Sequence, residues 1–118
     1  MTISNASDKP LIAVLDYGIG NLRSAQKGLQ FVGADARLTS DLKLIADADA
    51  VVLPGVGNFG ACMTALREAG LEATVHDAIA TTRPFLGICV GMQMLFESSE
   101  ESPGVSGLSV IAGEIRWL

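Results

Sequence analysis

Two cysteines and one histidine are the reactive side chains to weigh in this 118-residue chain. Cys89 has the most telling surroundings, in Gly87-Ile88-Cys89-Val90-Gly91. Glycines two places either side of a nucleophile permit a sharp strand-to-helix turn and close packing of the helix on the strand. A thiol at such an elbow sits at a helix N-terminus, where partial positive charge favours the thiolate. The amide of Val90 opens into the same space and can donate to an oxyanion. The chemistry implied is nucleophilic attack on a carbonyl carbon. The alternative is a buried structural cysteine whose glycines serve packing alone.

A second loop could serve the same chemistry. Gly55 and Gly57 bracket Val56 in the stretch PGVGNFG, and such a segment can turn backbone N–H groups toward an anion. Judged alone it is equally a turn after a strand; beside the elbow it becomes the second half of an oxyanion hole. Gly18-Ile19-Gly20 resembles a phosphate cradle only weakly. The third glycine of a dinucleotide fingerprint is replaced by Arg23, so no cofactor is indicated.

A thiol nucleophile usually needs a base. The one histidine, His76, falls in the middle of an expected helix beside Asp77 and reads as a solvated surface residue. Cys62, next to Met63 and near Leu66, reads as core or surface filler. One His and two separated Cys cannot close a four-ligand zinc site, so no metal is expected.

The elements that must position these residues follow from hydrophobic pattern. Leu11–Leu15, Ala50–Leu53 and Phe85–Ile88 are short apolar runs that read as buried strands, the second of them stopped by Pro54, and Ala36–Thr39 is a candidate for a further strand. Asn21 is placed to cap a helix whose stripe is Leu22, Ala25, Leu29 and Val32, ended by Gly33. Further helices are expected over Ala61–Ala69, Leu71–Ala80 and Val90–Phe96. After a polar stretch, Leu108–Trp117 begins another strand or hairpin. Strands apolar on both faces, alternating with helices, predict a three-layer α/β/α fold with a mostly parallel sheet. Ligands then bind outside the carboxyl ends of the strands. The DYGIGN turn, the PGVGNFG loop and the GICVG elbow all fall there.

In this order and spacing, LDYGIGNLRS, PGVGNFG and LGICVGMQMLFESSEE resemble the class I glutamine amidotransferases, from about residue 11 to the end. The G-x-C-x-G-x-Q element indicates the wide class. DYGIGN and PGVGNFG narrow it to glutaminase subunits that serve a separate barrel-shaped cyclase in histidine biosynthesis. The resemblance implies that Cys89 attacks the side-chain amide of glutamine, releasing ammonia and leaving a glutamyl thioester that water hydrolyses. It implies an oxyanion hole from the amides of Val90, Val56 and Gly57. Gly57, Gln93 and Glu101 would hold the substrate, and Asn21 would lie at the cyclase interface of a heterodimer. In the family a histidine and a glutamate complete a Cys-His-Glu triad, and nothing after Glu101 supplies them here. An N-terminal portion of the domain, 11–118, is therefore expected, apparently truncated, with an unpaired apolar sheet edge and little activity of its own.

The net charge of −5, with acidic residues scattered, argues against nucleic-acid binding, which wants clustered Lys and Arg. The first ten residues are polar and read as a disordered leader, not a signal peptide. No apolar run is long enough for a membrane span. Two reduced thiols suit a cytoplasmic enzyme. The competing readings are another class I amidotransferase domain, a non-catalytic partner-binding fragment, and an unrelated cysteine hydrolase.

Overall fold

The computed structural model describes residues 9–118. Most of the segment expected to be a leader lies outside them. Four parallel strands form the main sheet: β1 (Leu11–Leu15), β2 (Asp35–Thr39), β3 (Ala50–Gly55) and β4 (Phe85–Cys89), in the order β2-β1-β3-β4. The helices are α1 (Leu22–Phe31), α2 (Leu42–Asp47), α3 (Phe59–Glu68), α4 (Glu72–Ala80) and the single turn α5 (Val90–Gln93). The order reverses direction between β1 and β3. Right-handed crossovers therefore place α1 on one face and α2, α3 and α4 on the other.

Side-chain alternation along the strands feeds two cores. Ala13, Leu15, Val51 and Leu53 point to the main core, with Ile45, Phe59, Met63, Leu66, Leu71 and Val75 from the helices. Val14 and Val52 face α1, whose Leu29 is the helix residue packed on them. That second face is only partly covered. An apolar groove of about 150 Å³ runs along it past Ile12, Val52, Pro84 and Leu86, and Leu86 is 51% exposed. Of the expected α1 stripe only Leu22 is buried, while Val32 at its far end is exposed.

Several expectations are corrected. Pro54 does not stop β3, which continues to Gly55. The amide of Val51 donates to Pro84 on the β4 side, so by alternation the nitrogen of Pro54 faces β1. Pairing with β1 has already ended at Val52, and no ladder bond is lost there. Asn21 precedes α1 in the left-handed region at φ +65 and its side chain makes no cap bond. α2, which the apolar pattern did not announce, is capped by Asp41, whose carboxylate accepts from the amides of Lys43 and Leu44.

The helix expected over Val90–Phe96 is a single turn, and of the strand or hairpin expected over Leu108–Trp117 a two-residue strand forms, Glu114–Ile115 (β6), paired in parallel with Ser98–Ser99 (β5). The amides of residues 107–111 donate to the carbonyls of Met94, Leu95, Phe96 and Glu97, so the returning segment spends its donors on the chain after α5 and not on a hairpin of its own, while Leu95 and Phe96 tighten to i−3 turn bonds on Met92 and Gln93.

Candidate active site

Cys89 ends β4 and precedes α5 with φ +56 and ψ −122, a backbone conformation that costs a non-glycine residue about 1–3 kcal/mol. Three glycines make this possible. A Cβ on Gly91 would overlap the carbonyl oxygen of Leu53, one on Gly87 would lie 2.7 Å from the Cα of Met92, and one on Gly55 would lie 2.5 Å from the nitrogen of Gly91. The elbow is thus pressed directly onto β3, with Cys89 in register with Gly55. The thiol is exposed. The first amides of α5, starting with Val90, have no partner within that short helix.

The PGVGNFG loop leaves β3 beside Cys89, and two side chains hold its backbone from the core. The Tyr17 hydroxyl donates to the carbonyl of Pro54 and lies 3.5 Å from Sδ of Met94. Cys62 Sγ donates to the carbonyl of Val56 at 3.1 Å. Tyr17 is 4% exposed, although sequence placed it in a turn. Its burial, with Cys62 adding, pushes the phenol far above its ordinary pKa, so it stays protonated and able to donate. Cys62 is buried, which decides between the core and surface places open to it, and it also makes this bond. Val56 and Gly57 are exposed, and Gly57 has φ +81.

Gln93 and Glu101 meet in a cavity of about 110 Å³ completed by Ser99, Ile115, Arg116 and Trp117. The chain reversal after α5 folds residues 98–117 back over Gln93. Glu101 also works at the start of α3: its Oε1 accepts from the amide of Phe59 at 2.9 Å. Ser102 Oγ accepts from Gly60 and Asn58 Oδ1 from Ala61, so the first amides of α3 are taken in series. Carboxylate, amide and guanidinium groups around one cavity suit the charged end of an amino acid. Sequence reasoning missed Asn58, Ser102 and Arg116. Only Asn58 carried a signal, as a capping residue type just before a helix.

The structure gathers Cys89, Val90 and Gly55–Gly57 at one end of the sheet, with the Gln93–Glu101 cavity one turn further along the chain. Asn21, after the turn that follows β1, lies at the same carboxyl edge. His76 is exposed on α4, a helix that packs on the sheet face. Among the described residues no helix is long and apolar enough to cross a membrane.

Comparison with known proteins bears on this arrangement. A family model described as a CobB/CobQ-like glutamine amidotransferase domain matches residues 10–117. An imidazole glycerol phosphate synthase subunit HisH from Bacillus cereus is 47% identical over 92% of this chain and 52% of its own length. HisH subunits from Acinetobacter baylyi and Methanothermobacter thermautotrophicus are 51% and 50% identical over 89% of the chain. The chain spans about half the length of these curated relatives. A solved glutamine amidotransferase shares the fold with a TM-score of 0.74 at 22% identity, over 89% of this chain and 55% of that one.

Proposed function

The chain belongs to the CobB/CobQ-like glutamine amidotransferase family, and from that premise we propose that it is the nucleophile-bearing portion of the glutaminase subunit of imidazole glycerol phosphate synthase. The observation that carries this reading is the strained, exposed Cys89 in register with Gly55 at the head of the PGVGNFG loop. The Cys89 sulfur attacks the amide carbon of glutamine. The resulting oxyanion is met by the amides of Val90 and of the Val56–Gly57 segment. Collapse expels ammonia, with a proton delivered to the leaving nitrogen, and leaves a glutamyl thioester. Water then cleaves the thioester to glutamate and restores the thiol. Gln93 and Glu101 hold the amino-acid end of the substrate, and Gly57 lies along its amide.

The ammonia goes to a cyclase subunit in histidine biosynthesis, docked against the carboxyl edge that carries Asn21. No cofactor enters this chemistry, and the pathway places the protein in the cytoplasm. His76, the one histidine, sits exposed on α4 away from the strand ends and is a poor base for Cys89. The chain alone is therefore expected to release little glutamate from glutamine, with or without the cyclase. Turnover at the rate of a complete glutaminase would overturn that. Growth of a histidine-requiring strain on the complete gene separates this reading from another amidotransferase, and cyclase binding by a complete gene product that yields no ammonia would favour a non-catalytic docking module.

A further inference from the structure

Gly57 poses a problem for any oxyanion hole built on its amide. Glycine accepts either sign of φ at little cost. The peptide plane between Val56 and Gly57 is thus free to rotate unless something outside the loop holds it. Across a trans peptide the carbonyl and the following N–H point in opposite directions. Whatever fixes the Val56 carbonyl also aims the Gly57 amide.

We propose that Cys62 and Tyr17 are positioning residues for the oxyanion loop: Cys62 draws the Val56 carbonyl inward toward α3, Tyr17 anchors the Pro54 carbonyl, and the Gly57 N–H is thereby turned out toward Cys89. The geometry is specific. The Cys62 sulfur lies 3.1 Å from the Val56 oxygen. The Tyr17 hydroxyl bonds the Pro54 oxygen one strand away from Cys89, from a buried site with no other hydrogen-bonding use than contact with Met94 and Cys62. β3 passes beside Cys89 at Gly55, two residues before Gly57. A thiol is a weak donor. The latch therefore biases the loop without locking it, and core filling alone would not require the sulfur to meet a carbonyl.

This inference rests on the functional reading above and deepens it. The test is Cys62→Ala against Cys62→Ser, assayed for glutaminase in the active assembly with cyclase, together with NMR of the Val56 carbonyl and Gly57 amide in the 118-residue chain. Cys62→Ala is expected to lower kcat about three- to tenfold with KM little changed, and to shift both signals. Cys62→Ser keeps a donor and is expected to restore both. Tyr17→Phe is expected to move the same signals. An unchanged kcat in Cys62→Ala, or a loss that serine does not rescue with shifts confined to α3, overturns the proposal. A wild-type assembly without glutaminase activity would sink the functional reading instead, and the Val56 and Gly57 signals would still decide whether Cys62 holds the loop.

Discussion

The two halves of the candidate site are held together by different forces. Around Cys89, backbone meets backbone: Gly91 against Leu53, Gly87 against Met92, Gly55 against Gly91, with no room for a side chain at any of the three. Around Gln93 and Glu101, position comes from polar side chains that satisfy the amides of α3 and from a returning segment tied by hydrogen bonds to residues 94–97. The first half is rigid because any added atom collides. The second is adjustable, because each bond contributes about 1 kcal/mol and water can replace it. A nucleophile needs fixed geometry, whereas a substrate cavity gains from being able to close.

Substitutions test that contrast, beginning with the largest effect. Gly91→Ala puts a methyl group into the Leu53 carbonyl and is expected to cost about 3 kcal/mol or more, read as a lost or sharply lowered Tm. Loss of less than about 1 kcal/mol would show that the elbow can give way after all. Glu101→Ala strips the carboxylate from the Phe59 amide and is expected to cost about 1–2 kcal/mol in urea melts. Glu101→Gln should recover part of this, since an acceptor remains. Cys89→Gly is expected to stabilise the chain by about 1 kcal/mol, because glycine relieves the positive φ that cysteine must bear. A destabilised Cys89→Gly would argue that the strain is absent. Arg116→Ala breaks only the exposed contact to Glu114 and should change stability by less than about 0.5 kcal/mol.

How much of this was legible in sequence follows the same division. β1 and β3 were readable because a strand buried on both faces reads as a continuous apolar run; β4 was readable as a short apolar run although Leu86 is exposed, and β2 carries Arg37 and Thr39 and gave a weaker signal. The elbow was readable because close backbone approach demands glycine at fixed offsets from Cys89. The course of residues 107–111 was not, since it depends on bonds to the carbonyls of residues 94–97 that no local pattern announces. Tyr17 looked like part of a turn because Gly18 and Gly20 follow it, yet its ring is buried. The thiol of Cys62 looked like filler because a residue type cannot say which carbonyl it meets.

The central claim, that Cys89 is the nucleophile, is tested most directly by covalent capture. A glutamine analogue with a diazoketone in place of the side-chain amide, incubated with the active glutaminase–cyclase assembly and followed by peptide mass spectrometry, should leave one adduct on the peptide containing Cys89 and none on Cys62. Glutamine should protect against it. An adduct on Cys62, or an unlabelled Cys89 in an assembly that still releases glutamate, would contradict the account.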